Sequence, residues 1–103
     1  MLYTIYIGTE QTKDGTPIAD CTAKLDVVRL KIALAFGGYS ESSVQGAWYD
    51  VERQTLVVER SVRFEIVSDL PPVVVDQLAA KARDLMSQSR VLVVGAPVMS
   101  KFV

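Results

Sequence analysis

The stretch from residue 46 to residue 67 constrains the fold of this chain most strongly. Gly46–Val51 and the longer run Thr55–Val67 are both rich in β-forming residues, and the polar residues 52–54 separate them. Two such runs joined by a short polar segment predict an antiparallel hairpin. Alternate residues of the second run are apolar, which predicts a strand with one buried face. That face carries Leu56, Val58, Val62, Phe64 and Ile66.

Arg60 interrupts the apolar row of this second strand. A charge among apolar neighbours is costly unless it is paired. We therefore expect Arg60 to be bulged out, paired or lining a cavity, and it is the first candidate for contacting a ligand. The opposite face of the same strand carries Glu59, Arg63 and Glu65, whose spacing predicts a charge ladder on a solvated face.

The rest of the chain supplies two further strands and two helices. The patterns predict strands over Met1–Gly8 and Arg90–Val94, and helices over Asp20–Phe36 and about Val73–Ser87. Asp20 is predicted to cap the first helix, and Gly37 to end it. The order strand, helix, strand, strand, helix, strand predicts a ferredoxin-like βαββαβ fold of the α+β class. Four antiparallel strands would carry both helices on one face, in a single domain over residues 1–103.

Apolar surface exceeds what a small domain can bury. Apolar residues make up 50% of the chain, and the tail from residue 95 to residue 103 is apolar. The first helix has a broad apolar stripe, and the second sheet face needs a cover. These features predict a homo-oligomer, at least a dimer, in which the tail docks on its own chain or on a neighbour.

The composition excludes several classes of function. A net charge of −1 argues against duplex nucleic acid as a partner. The absence of histidine removes Ser-His-Asp catalysis and the commonest zinc ligand, and no metal-ligand spacing is present. Cys21, the only cysteine, is expected to be structural. No signal peptide and no apolar run of about 20 residues is found, so we expect a cytoplasmic protein with no membrane partner and no cofactor.

Arginines and aromatic residues around the hairpin are the best candidates for a ligand site. Arginine suits phosphate, and aromatic rings can stack on a base. The ordinary interpretation, which we favour for each of these residues except Arg60, pairs the arginines with Asp50, Glu59 and Glu65 and packs the rings in the core. Carboxylates on the hairpin are interpreted as a solvated face rather than a catalytic pair. The candidate ligand-binding residues are Arg53, Arg60, Arg63, Arg90, Tyr39, Trp48 and Phe64.

Five motifs give the chain a resemblance to a group of small phage and prophage proteins. They are Leu-Tyr-Thr-Ile-Tyr-Ile-Gly at residues 2–8, Gly-Gly-Tyr at 37–39, Gly-x-Trp at 46–48, Glu-x-Ser-x-x-Phe-Glu-Ile at 59–66 and Gln-x-x-Val-Leu-Val at 88–93. Within that group the chain is similar to the phage anti-Thoeris family. The resemblance implies an oligomeric sponge that sequesters cyclic ADP-ribose-type signals without turnover. No ligand residue of that family aligns with this chain.

The leading functional hypothesis is therefore a phage anti-defence protein that acts in the host cytoplasm. It would bind and sequester a nucleotide-derived immune signal, such as a cyclic ADP-ribose-like molecule or a cyclic oligonucleotide, and it would not be an enzyme. Arginines would contact the phosphates, and an aromatic ring would stack on the base. Two alternatives stay open: an inhibitor that blocks a host defence protein by surface contact, and a small ferredoxin-like enzyme that uses carboxylates.

Overall fold

The computed structural model describes residues 1–103 and contains four strands and two helices. In chain order these are β1 (Leu2–Gly8), α1 (Cys21–Phe36), β2 (Ser40–Asp50), β3 (Thr55–Val67), α2 (Pro72–Leu85) and β4 (Leu92–Ala96). The strands form one antiparallel sheet in the order β2-β3-β1-β4. The predicted ferredoxin-like βαββαβ fold of the α+β class is therefore confirmed.

Both helices pack on the same face of the sheet. The central strands β1 and β3 bury alternate residues there, as their period-two patterns predicted. Burial of this apolar area, at roughly 25 cal/mol per Å², is the main stabilising term of the fold. The buried cluster consists of Tyr3, Ile5 and Ile7 of β1, Val62, Phe64 and Ile66 of β3, Leu25, Val28 and Ile32 of α1, Val75, Leu78 and Ala82 of α2, and Ile18 and Met86.

The hairpin is confirmed, but its first strand is longer than predicted. β2 begins at Ser40 rather than at Gly46, because residues 40–44 pair with Ser61–Glu65 of β3. This added segment contains Ser40, Ser42 and Ser43. Serine has little intrinsic preference for strands, but pairing with a central strand overrides that preference.

A two-stranded ribbon extends beyond the core. β1 pairs with β3 only as far as Gly8, which lies opposite Ser61. Residues 45–50 of β2 and 55–60 of β3 continue as a pair, and we call this segment the ribbon. The apolar row of β3 is therefore in the core only from Val62 onward. Leu56 and Val58, which precede it, are exposed.

The ends of α1 illustrate one wrong and one correct prediction. Asp20 adopts the left-handed conformation, with φ of 51°, and its side chain makes no capping hydrogen bond. Only its backbone carbonyl accepts a bond, from Lys24 N at 3.0 Å. Gly37 ends the helix at φ of 84°, as predicted, and donates to Ala33 O at 2.9 Å. Neither helix of the chain is long and apolar enough to cross a membrane.

An ion-pair cluster fixes α1 over β2. Arg29 donates from Nε and Nη2 to the two carboxylate oxygens of Glu41, both at 2.7 Å, and from Nη1 to Asp26 Oδ1 at 2.7 Å. These hydrogen bonds to Arg29 hold the pKa of Glu41 below its ordinary value of 4.5. They also raise the pKa of Arg29. The cluster thus ties the helix layer to an edge strand.

β4 is an edge strand and lies two residues further along the chain than the strand predicted over Arg90–Val94. It begins at Leu92 and pairs only with β1. Val93 packs against the core, whereas Leu92 and Val94 are exposed on the other face. The apolar tail after Ala96 has no regular structure and is exposed, so it does not dock on its own chain as one alternative predicted.

Candidate functional site

The sheet face opposite the helices is uncovered, and we call it the open face. Residues directly opposite each other in antiparallel strands share a face, so the strand register assigns the members of this face. Its centre holds six polar residues, which we call the polar patch. They form two rows across the sheet: Tyr6, Arg63 and Ser42, then Thr4, Glu65 and Ser40.

Arg63 and Glu65 are the charged members of the polar patch. Arg63 Nε donates to Ser42 Oγ at 3.1 Å and lies 3.3 Å from Glu65 Oε1. The two terminal nitrogens of Arg63 donate to no protein atom, and Glu65 accepts no hydrogen bond. Their side chains are 37% and 41% exposed. The predicted charge ladder is confirmed at this pair, and the pair retains hydrogen-bonding capacity that a ligand can use.

Glu59 and Trp48 continue the open face along the ribbon. Glu59 lies opposite Gly46, and nothing lies within 4 Å of the position that a Cβ on Gly46 would occupy. Trp48 lies opposite Val57 and is half exposed. Arg63 lies four positions after Glu59, which is about 13 Å along a strand. The open face therefore combines a guanidinium, two carboxylates and an indole on one accessible surface.

Arg60 lies on the other face of the ribbon, and its side chain is exposed and forms no ion pair. Only its backbone is engaged: its carbonyl accepts from Thr9 N at 3.2 Å and from Thr9 Oγ1 at 3.3 Å, and its N–H donates to the Glu10 carboxylate. The expectation of a bulged, paired or cavity-lining arginine is wrong, because the buried part of the apolar row begins only at Val62 and Arg60 lies in the exposed ribbon. A ligand-binding role of Arg60 stays a prediction.

Two of the three aromatic candidates belong to the core side of the sheet. Phe64 is fully buried, and the ring of Tyr39 packs edge-on against it, with ring centroids 5.3 Å apart and an interplanar angle of 80°. Burial leaves no face of Phe64 free for a ligand, so its predicted stacking role is corrected. Trp48 is the one aromatic candidate on the open face.

The four candidate arginines do not converge on one site. Arg53 lies in the turn at the tip of the ribbon, where its Nε is 3.8 Å from Asp50 Oδ2. Arg90 is exposed in the connection that precedes β4. Arg60 and Arg63 occupy opposite faces of β3. Of the predicted arginines, Arg63 alone shares the open face with Trp48.

The sequence interpretation missed Tyr6 and Ser42, which flank Arg63. Part of the signal was available, because alternation along β1 assigns Thr4 and Tyr6 to one face. The residue of β2 that faces Arg63 depends on strand register. A strand with little apolar alternation specifies register weakly, so Ser42 could not be assigned from sequence.

Two shallow depressions lie on the helix side of the molecule. One, of about 360 Å³, lies between α1 and α2 and is lined by residues that include Lys31 and Lys81. The other, of about 170 Å³, lies between α2 and β4 and includes Asp76 and Arg83. No three Cys, Asp or Glu side chains lie close enough to hold a metal ion. Neither depression includes a residue of the open face.

No protein-family model and no curated protein sequence matches this chain. Its fold is similar to a phage SAM lyase in complex with S-methyl-5'-thioadenosine, with a TM-score of 0.63, 21% identity, and coverage of 89% of this chain and 76% of that chain. A phage SAM lyase in the apo state has a TM-score of 0.58 and 18% identity, with coverage of 89% of this chain and 75% of that chain. GlnK of B. subtilis in complex with ATP has a TM-score of 0.53 and 17% identity, with coverage of 90% of this chain and 80% of that chain. These similarities establish a shared fold.

The comparisons correct the expectation of a non-catalytic sponge. Two of these three structures are those of an enzyme, and none of the three is an anti-Thoeris protein. The two lyase structures are those of phage proteins, the source that the resemblance predicted for this chain. Two of the three hold small adenosine compounds, in agreement with the general prediction of a nucleotide-like small-molecule ligand.

Proposed function

We propose that this protein is a lyase that cleaves S-adenosylmethionine and releases S-methyl-5'-thioadenosine at the open face. The observation that carries the proposal is the fold similarity to a phage SAM lyase bound to that nucleoside, over 89% of this chain. The chemistry of the open face supports it, because an exposed guanidinium, carboxylates and indole suit a charged nucleoside. The sequence left open a small ferredoxin-like enzyme that uses carboxylates, and this proposal differs from it in using the carboxylates for binding rather than as catalytic groups.

The reaction breaks the bond between the sulfonium sulfur and the γ-carbon of the four-carbon amino acid chain. The bonding electron pair stays on sulfur, which becomes a neutral thioether. The γ-carbon then forms a bond to the substrate's own carboxylate oxygen, giving a lactone, or the β-carbon loses a proton, giving an alkene. Proton abstraction needs a strong base, and neither Glu59 nor Glu65 is buried as such a base generally is. We therefore favour the lactone route.

The adenosine end would bind over the ribbon side of the open face. A carboxylate such as Glu59 can accept hydrogen bonds from two adjacent ribose hydroxyls. The indole of Trp48 can stack on adenine, a contact that contributes about 1–3 kcal/mol for a base on an aromatic ring. Gly46 leaves the space beside Glu59 free of a side chain.

A homo-oligomer is part of the proposal. The ribbon face opposite the open face carries the exposed apolar side chains of Tyr49, Leu56 and Val58. An isolated two-stranded ribbon is marginally stable, and a second copy would cover this face and leave Trp48 accessible to the ligand. Light scattering at micromolar concentration should give at least a dimer. A monomer under those conditions would contradict this part of the proposal.

The cellular role that follows is removal of a methyl donor. A phage enzyme of this kind, acting in the host cytoplasm, would deprive methyl-donor-dependent host defences of their cofactor. That is an anti-defence function by turnover rather than by sequestration.

The direct test is product analysis after incubation of the full chain with S-adenosylmethionine. We expect methylthioadenosine and a homoserine lactone by mass spectrometry, in equal amounts and beyond one equivalent of protein. Glu59→Gln should lower kcat/KM at least about tenfold, since it weakens a charge-assisted contact. Asp84→Asn, a carboxylate on α2 away from the open face, is the matched control. Intact substrate after long incubation would refute the lyase and leave the protein-inhibitor alternative.

A further inference from the structure

The polar patch pairs a cation with an anion, and this pairing discriminates between classes of ligand. A phosphate near the free nitrogens of Arg63 would also lie near the Glu65 carboxylate, which is 3.3 Å from Arg63 Nε. Two anions in one small site repel each other. The Glu65 carboxylate would therefore repel a phosphate bound to Arg63, so the patch does not suit the phosphate contact that the sequence predicted for Arg63.

A ligand head that is itself a zwitterion matches both charges. The terminal nitrogens of Arg63 can form a bidentate contact with a carboxylate. Glu65, whose oxygens accept no hydrogen bond in the protein, can accept from an ammonium group on the adjacent carbon. Ser42 restrains the guanidinium through Nε at 3.1 Å and leaves its outer nitrogens free.

We infer that the polar patch is a subsite for an α-amino acid head group, with Arg63 on the carboxylate and Glu65 on the ammonium. The inference rests on the proposed function, in which S-adenosylmethionine carries such a head. Arg63 and Glu59 are about 13 Å apart along β3, which lets one molecule reach from the polar patch to the ribbon. A bidentate guanidinium leaves each carboxylate oxygen a lone pair, so the head can be held and still attack the γ-carbon.

Two stable nucleosides separate the head-group contact from the adenosine contact. S-adenosylhomocysteine has the amino acid head and lacks the sulfonium, whereas methylthioadenosine lacks the head. Calorimetry with both ligands gives a ratio of dissociation constants for each variant. Arg63→Ala should raise the dissociation constant of S-adenosylhomocysteine roughly ten- to a hundredfold and change that of methylthioadenosine less than about twofold.

Three further variants sharpen the test. Arg63→Lys keeps the charge and loses the planar fork, so it should weaken S-adenosylhomocysteine to an intermediate degree. Glu65→Gln should weaken it about tenfold, again with methylthioadenosine unchanged. Arg83→Ala removes an arginine that pairs with Asp84 on α2 and should change neither ligand. Circular dichroism and melting temperature confirm that each variant is folded.

The outcomes distinguish this inference from the proposed function. If Arg63→Ala loses affinity for both ligands equally, or for neither, the amino acid subsite is overturned. This holds even if the wild type releases methylthioadenosine. A wild type that binds S-adenosylhomocysteine through Arg63 but cleaves nothing supports the subsite and refutes the lyase. A wild type that binds neither nucleoside refutes both.

Discussion

Arg29 and Arg63 both lie beside a glutamate, but they differ in how many of their donors the protein uses. Arg29 donates to Glu41 from two nitrogens and to Asp26 from the third, all at 2.7 Å. Arg63 donates one hydrogen bond, from Nε to Ser42. A guanidinium has five N–H donors, so Arg29 uses three of them, one on each nitrogen, whereas Arg63 uses one.

Their positions in the fold explain the difference. Arg29 lies where α1 crosses β2, and two elements hold its partners in place. Arg63 lies on the open face, which no element covers. The same contrast separates Phe64, packed between sheet and helices, from Trp48 on the ribbon. Unused hydrogen-bonding capacity on an accessible face, rather than the presence of an arginine or an aromatic ring, therefore identifies the candidate site.

The aromatic pair should give the largest difference between the two faces. Phe64→Ala removes a fully buried ring and should lower the free energy of unfolding by about 3–5 kcal/mol. Trp48→Ala should lower it by about 0.5 kcal/mol or less, while weakening methylthioadenosine through loss of stacking. Urea unfolding of both variants checks the stabilities, and calorimetry checks the ligand. A strongly destabilised Trp48→Ala monomer would show that the ribbon is part of the folding core.

The arginine pair should give the next largest difference. Arg29→Ala leaves Glu41 and Asp26 without their shared cation and should cost about 1–2 kcal/mol. Arg63→Ala removes one hydrogen bond on an exposed face and should cost about 0.5 kcal/mol or less. Both are measured by urea unfolding under the same conditions. Equal costs would mean that donor saturation does not separate structural from binding arginines in this fold.

The fold was predictable because its strongest signals are local. The alternation in β1 and β3 and the stop at Gly37 each reflect a period or a backbone preference that neighbours in sequence decide. The boundary of β2 was not predictable, because Ser40–Gln45 becomes a strand only through pairing with β3. The edge position of β4 likewise depends on strand order, which no residue of Leu92–Ala96 encodes.

The site was less predictable than the fold, for a geometric reason. Arg60 and Phe64 share the apolar row of β3, but the row crosses the end of β1 opposite Ser61. One end of the same row is therefore core and the other is solvent. The sequence alone does not show where β1 ends relative to the hairpin formed by β2 and β3. Without that point, exposure of Arg60 and burial of Phe64 could not be assigned.

The pH dependence of stability offers a smaller effect that tests the Arg29 cluster alone. The pKa of Glu41 is lowered in the folded state by its hydrogen bonds to Arg29. A lowered carboxyl pKa stabilises the fold above its ordinary value of 4.5, and this contribution is lost as the pH falls from there through the folded pKa. The free energy of unfolding of the wild type should exceed that of Glu41→Gln by about 1 kcal/mol near pH 7, and this difference should shrink as the pH falls below 4.5. A difference that persists in acid would assign the effect to packing rather than charge.

Arg60 should show the smallest effect, because the fold uses its backbone and not its side chain. Its N–H and carbonyl bind Glu10 and Thr9 at the base of the ribbon. Arg60→Ala keeps both backbone groups and should change the free energy of unfolding by about 0.5 kcal/mol or less. Glu10→Ala removes the acceptor for that N–H and should cost about 0.5–1 kcal/mol. Denaturant unfolding of the two variants compares them directly. A cost well above 2 kcal/mol for Arg60→Ala would mean that its side chain is buried against a second copy, because nothing in its own chain pairs with it.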